Sequence, residues 1–373
     1  MYVSLSIEGW PEGGRAIRKL ADDLYAADLS LPTDTPIEYK FLRSKNWNSV
    51  EKDAQGGELS NRTLAIPRDT PPRTVLHAVA RWADQADPPG RLAFVSIPGQ
   101  PLRTESRITG RIDTLEGVDA PQLGNQRRVF VWLPENYDAN PSERYAVLYL
   151  HDGQNLFDAT TSAAGAEWGL DEAAARLQAD GRMRRAILVG IANTPDRMKE
   201  YSPYPDRGFG GDADKYLAFL LETLKPRIDR AYRTLPDRAN TFVGGSSMGG
   251  LVSLYAVLKH PDVFGGAAVM SPSLRWARWK ILDAVETHEF RHPVRIWLDI
   301  GTAEGSRSSP DAEVTQAVAD CRRLAEILRS KGLKDGESLA YEEAAGAIHH
   351  ETAWATRADR VLQFLLPPQA DKR

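Results

Sequence analysis

The run Gly245-Ser246-Ser247-Met248-Gly249 fits the pattern G-x-S-x-G, with Ser247 at its centre. A serine hydroxyl is a poor nucleophile until a base takes its proton, so its oxygen must be held where a histidine can reach it. A tight strand-to-helix turn does this, and it brings the flanking backbones so close that residues 245 and 249 must be glycine. The helix N-terminus that follows offers unpaired N–H groups and the positive end of a dipole to a developing anion. The five-residue pattern alone is common. Here an apolar strand, Thr241 to Val243, precedes it and an amphipathic helix follows, ended by Pro261. The plain alternative is a glycine-rich strand end holding a helix. Ser246 is out of phase with the glycines and is not the expected nucleophile.

Acyl chemistry at Ser247 would need a base, an acid and N–H donors. In strand–turn–helix hydrolases the order along the chain is Ser, then Asp or Glu, then His. Of the seven histidines, only His349 and His350 lie beyond the last central strand. His349 comes first out of the loop and is the expected base; His350 is read as a solvated residue at a helix start. The acid, which would fix the imidazole tautomer and stabilise its protonated form, should follow the strand Arg295 to Ile300. Asp299 is inside that strand, Glu304 is on the turn off its end, and Asp311 begins a helix as its N-cap. Glu304 is the first choice and Asp311 the second. One oxyanion donor should be the N–H of Met248. The other should come from His151-Asp152-Gly153-Gln154-Asn155, from Gln154 or Asn155, which the residues alone do not separate. His151 is read as a structural hydrogen-bonding residue. Trp168, Trp276 and Trp279 lie near the carboxyl ends of strands, where they could line an acyl or aromatic pocket or simply pack; Tyr201 and Arg197 share that edge.

These residues need a scaffold, and from about Ser106 the sequence supplies one. Apolar runs of strand length (128–133, 145–150, 186–191, 241–243, 266–270, 294–300) alternate with helical stretches (171–178, 213–231, 249–260, 311–329). Near-continuous runs such as Ala146-Val147-Leu148-Tyr149-Leu150 are what strands covered on both faces show. The expectation is an α/β domain over 106–368, a mainly parallel doubly wound sheet with crossover helices. Residues 1–87 read differently. Ile37-Glu38-Tyr39-Lys40-Phe41 alternates apolar and polar, Tyr25 to Leu31 and Asn61 to Ile66 have strand length, and Gly56-Gly57 and Pro67 punctuate. This predicts a small all-β sandwich, joined by a linker over 88–105 that holds one short strand, Leu92 to Val95.

The segments LYLHDGQNLFD (148–158), EWGLDE (167–172), RMKEYSPY (197–204), GGSSMGG (244–250), LDIGTAEG (298–305) and HHETAW (349–354) resemble the putative-esterase family of α/β-hydrolases. That family includes enterochelin, feruloyl and acetylxylan esterases, esterase D and mycolyltransferases, and the resemblance covers about Arg128 to Phe364. It implies an α/β-hydrolase fold and a serine esterase. Its H-x-E-x-x-W ending places the histidine on His349, followed by Glu351 and Trp354. The family often has Asp where this chain has Glu304. The segment YKFLRSKNWNSVEKD (39–53) resembles the starch-binding or early-set sandwich that precedes some such esterases.

Bulk properties narrow the partners. With 47 Lys+Arg against 51 Asp+Glu the net charge is -4, and no basic run stands out, which argues against nucleic acid. No apolar stretch approaches the roughly 20 residues of a membrane helix, and the first residues lack the regions of a signal peptide. The expectation is a soluble, cytoplasmic chain, or a secreted one if a leader precedes Met1. Cys321 is the single cysteine and reads as inert, and the scattered histidines suggest neither metal nor cofactor. The expected partner is a small-molecule ester with an aromatic acyl or sugar moiety; the residues say nothing of oligomeric state. Two other readings are acyl transfer to an alcohol and a carbohydrate-binding protein with an inactive hydrolase domain. The last rests on Trp47, which could stack on a sugar or fill a sandwich core.

Overall fold

The computed structural model describes residues 2–5, 15–21, 24–28, 37–45, 49–52, 62–64, 74–79, 81–82, 91–96, 108–162, 166–304 and 311–368. The chain divides into two compact units, residues 1–105 and 106–373.

In the first unit the described residues form ten short strands. They are β1 (Tyr2–Leu5), β2 (Arg15–Ala16), β3 (Arg18–Ala21), β4 (Leu24–Asp28), β5 (Ile37–Leu42), β6 (Glu51–Lys52), β7 (Arg62–Leu64), β8 (Thr74–Val79), β9 (Arg81–Trp82) and β10 (Arg91–Ser96). They pair as β2-β1-β5-β7, β3-β4-β10-β8 and β6-β9. All pairs are antiparallel except β10 with β4. The alternation at 37–41 is real strand periodicity, with Tyr39 and Phe41 buried and Glu38 exposed. Residues 91–96, inside the expected linker, extend the sheet of β8 and β4. Trp47, Gly56-Gly57 and Pro67 lie outside the described residues.

The second unit is built on eight strands: β11 (Arg111–Ala120), β12 (Asn125–Leu133), β13 (Ala146–His151), β14 (Ala186–Ile191), β15 (Thr241–Ser246), β16 (Gly266–Met270), β17 (Arg295–Gly301) and β18 (Leu339–Ala344). Their order is β11-β12-β14-β13-β15-β16-β17-β18. The pairs involving β11 and β12 are antiparallel and the rest are parallel. The helices are α1 (Leu170–Ala179), α2 (Arg197–Glu200), α3 (Ala213–Ala218), α4 (Lys225–Ala231), α5 (Met248–Lys259), α6 (Lys280–Thr287), α7 (Asp311–Ser330), α8 (Glu351–Ala355) and α9 (Ala358–Leu365). A π turn, Phe219–Leu224, joins α3 to α4, so the stretch read as one helix is a single interrupted run.

The sheet is apolar on both faces because alternate residues of each strand enter different cores. Val147 and Tyr149 of β13 join one core with Val129 and Val131, covered by α3 to α7; Ala146, Leu148 and Leu150 join another with Trp132, covered by α1 and α9. This is an α/β architecture. The helix after Ser247 departs from the expected amphipathic pattern: α5 is buried from Met248 through Val257. A helix apolar all round is one enclosed by the domain, and this one is packed against β15 and β16.

Candidate active site

The carboxyl ends of β13, β15, β16 and β17 carry the candidate residues. β15 stops at Ser246, and Ser247 takes φ 58° and ψ -120°, a conformation strained for a residue with a side chain. Its N–H donates to the Met270 carbonyl at 3.0 Å, and its carbonyl accepts from Leu251 and Ser273. The glycines are required sterically. A Cβ on Gly245 would lie 3.1 Å from both Gly249 and the His151 Cβ, and one on Gly250 would lie 2.8 Å from the Met270 carbonyl oxygen. Ser247 is half-buried and Ser246 is buried, which agrees with their phase. In this structure the Ser247 hydroxyl pairs with Ser273 Oγ at 3.2 Å.

The two adjacent histidines have different jobs. His349 Nδ1 lies 2.9 Å from Glu304 Oε2, with the carboxylate buried and the imidazole about two-fifths exposed. His350 is the N-cap of α8, and its Nδ1 accepts from the Thr352 N–H at 3.3 Å. Of the acid candidates, Asp299 is buried inside β17 and takes hydrogen bonds from Trp297 Nε1 (2.7 Å) and the Ser271 N–H (3.2 Å). Asp311 is the first residue of α7. Among the described side chains of these candidates, Glu304 is the one that meets His349.

The loop after β13 turns through Asp152, at φ 56°, into a 3-10 turn over Gly153–Asn155. A side chain at 153 would collide with the Gly190 carbonyl carbon, so the loop lies flat on β14. The Asn155 N–H is committed to the Asp152 carbonyl at 2.9 Å, and Gln154 Oε1 accepts the Asn193 N–H at 3.1 Å. Met248, the other donor candidate, is the first residue of α5. His151 is buried, with Nδ1 2.8 Å from the Tyr216 hydroxyl, and burial lowers its pKa to about 3, so the ring is neutral and structural.

The aromatic candidates differ in burial. Trp168 is 4% exposed and packs on Trp354, with ring centroids 5.7 Å apart. Tyr201 is fully buried and its hydroxyl accepts the Asp152 N–H at 3.3 Å. Both are buried, which favours packing between the two alternatives that the sequence leaves open. Trp276 is half-buried, donates from Nε1 to the Tyr204 carbonyl at 2.6 Å, and meets the exposed ring of Phe209 edge-on. An open groove of about 460 Å³ runs beside Gln154, Asn193 and Phe130.

Several contacts of the site carried no sequence signal. Arg197 clamps Asp152 with two bonds of 2.7 Å, and Asn193 Nδ2 adds a third at 2.6 Å. Asn155 Nδ2 donates to Glu351 Oε1 at 3.1 Å. Ser271, Ser273 and Arg357 were likewise unmarked, since nothing in residue spacing reports pairings between distant loops. Among the described residues no group of His, Cys, Asp and Glu could hold a metal ion, and no helix is long and apolar enough to cross a membrane.

A parallel-centred sheet with a serine on a strained elbow is the architecture of an α/β esterase. The profile of the family described as "Putative esterase" matches residues 120–364, and the chain belongs to that family. Ferri-bacillibactin esterase BesA of Bacillus subtilis is 26% identical over 286 residues, covering 70% of this chain and 93% of BesA. The endo-1,4-beta-xylanase/feruloyl esterase of Xylanibacter ruminicola is 28% identical over 255 residues, covering 65% of this chain and 30% of that one. The crystal structure of the BES protein from Bacillus cereus shares the fold, with TM-score 0.56 at 19% identity over 72% of this chain and 99% of that chain. The protein is an esterase, a hydrolase of carboxylic esters.

Proposed function

We propose that the protein is a serine esterase of the α/β-hydrolase type that works through an acyl-enzyme, with Ser247 as nucleophile, His349 as base and Glu304 as acid. The carrying observation is the His349–Glu304 pair, set at the same sheet edge as the strained Ser247 elbow. Glu304 occupies Nδ1, which leaves Nε2 as the basic nitrogen; an imidazole so held takes the serine proton and passes it to the leaving alcohol. For that step Ser247 Oγ exchanges its bond with Ser273 for one with the imidazole. The oxyanion then forms between the Met248 N–H and the loop after β13. Gln154 is favoured there over Asn155, whose N–H is already committed.

The substrate is a small-molecule ester, and siderophore and feruloyl esters, named for the relatives, are the first to assay. Ser247→Ala should abolish hydrolysis of a p-nitrophenyl ester while the circular dichroism spectrum is unchanged; undiminished turnover would rule the mechanism out. Product analysis with an added alcohol separates hydrolysis from acyl transfer.

The N-terminal unit we read as a β-sandwich of the early-set or starch-binding kind, supported by its two four-stranded, mainly antiparallel sheets. Soluble-glycan binding by the full chain that disappears on Trp47→Ala would support a sugar-directed role, and no binding would count against it.

A further inference from the structure

Arg357 lies between α8 and α9 with no exposed surface. Its Nη2 donates to Ser271 Oγ at 3.0 Å and stands 3.2 Å from Asp299 Oδ1 and 4.0 Å from Glu304 Oε1. Among the described residues its Nε and Nη1 have no partner. An arginine serving as scaffold spreads its five donors over nearby acceptors. This one makes a single side-chain hydrogen bond, to the Ser271 hydroxyl, and sets its charge beside the two acids.

Ser271 makes that arrangement directional. Its Oγ receives Trp354 Nε1 and Arg357 Nη2, each at 3.0 Å, so its own proton is donated to Glu304 Oε1. The Gly301 N–H donates to the same oxygen at 2.7 Å. With Oε1 occupied by donors, Oε2 is the atom left for His349.

We propose that Arg357, acting through Ser271, is a positioning residue for ester hydrolysis: it keeps Glu304 turned so that Oε2 fixes His349. The inference rests on the triad reading above. The groups facing the two acids are His349, Cys321 of α7 and Arg360 of α9, with Glu343 of β18 beyond Cys321. Burial pushes Asp299 up to about 6 even with Arg357 lowering it. Without the cation Asp299 takes up its proton at higher pH, and the arrangement around Ser271 that its charge helps to hold is lost earlier as pH falls.

The test is kcat and KM for p-nitrophenyl acetate from pH 5.5 to 9 on the full chain, for wild type, Arg357→Met, Arg357→Lys and Ser271→Ala. Circular dichroism and Tm are measured on each. Arg357→Met should lose about tenfold in kcat at pH 8 with little change in KM, and roughly threefold more at pH 6 relative to wild type. Arg357→Lys should restore most of the pH profile, and Ser271→Ala should lower kcat while remaining folded. Folded Arg357→Met and Ser271→Ala proteins with wild-type kcat and pH profile would overturn the proposal. If Arg357→Met does not fold, wild-type kcat in Ser271→Ala overturns it alone. Persistent activity in Ser247→Ala would instead sink the triad reading.

Discussion

The Nδ2 of Asn155 donates to Oε1 of Glu351 at 3.1 Å, tying the loop after β13 to the turn that carries His349. Two segments almost two hundred residues apart in sequence are thereby held at a fixed separation. In the proposed mechanism both act on one tetrahedral intermediate. Burial raises the pKa of Glu351, so the link is sensitive to what replaces the carboxyl. Glu351→Gln keeps an acceptor for Asn155 and should leave kcat within about twofold, whereas Glu351→Ala should cost roughly tenfold. Steady-state kinetics at saturating ester checks this.

The loop itself depends on a contact that no side chain can share. Gly153 presses on the Gly190 carbonyl, and Gly190 in turn has the Phe157 ring 3.0 Å from where its own Cβ would be. Gly153→Ala should lower stability by about 1–3 kcal/mol and reduce kcat by displacing Gln154. Urea denaturation combined with activity at low urea tests both effects.

Burial separates the aromatic residues. Tyr201→Phe should cost about 1 kcal/mol for the lost Asp152 bond, and Trp168→Ala on the order of 3–5 kcal/mol. KM should be little altered in either folded variant. Trp276→Ala, at a half-buried position beside exposed Phe209, should instead raise KM for bulky aromatic esters more than for acetate. The comparison is one of KM ratios between the two substrates.

Asp171, fully buried at the start of α1, has its pKa raised to about 8, first by burial and then by its neighbour Glu172. The folded state therefore holds the proton that the unfolded chain releases near pH 4. Stability falls as pH rises from about 4 towards 8 and is level above that. Asp171→Asn keeps an acceptor for the Thr109 N–H, which donates to Oδ2 at 2.7 Å. Its Tm advantage over wild type should widen between pH 5 and pH 8.5; an advantage that does not change with pH would contradict this.

The α/β core was legible because a strand covered on both faces leaves an unbroken apolar run, as at 146–150 and 186–191. β11 was not, since it is an edge strand with mostly exposed residues, and Arg111-Ile112-Asp113-Thr114 shows no such run. The elbow glycines could be read because the requirement for them is steric and local. His349 could be preferred to His350 from loop order and the H-x-E-x-x-W ending, but its contact with Glu304 spans 45 residues and the Thr352 cap on His350 is set by the local turn. Arg357 is similar: an arginine on a short helix junction looks solvated until the chain folds it against Asp299. The burial of Trp168 and Tyr201 was not legible, because position near a strand end does not say how far a side chain is enclosed.

The most direct measurement is the site of covalent capture. After the full chain reacts with a p-nitrophenyl phosphonate ester, peptide mass spectrometry should find one phosphonyl group, on Ser247. His349→Ala should react orders of magnitude more slowly, and Ser247→Ala not at all. A phosphonyl group on any other residue, or an unmodified Ser247 in protein whose esterase activity has been fully inhibited, would contradict the account.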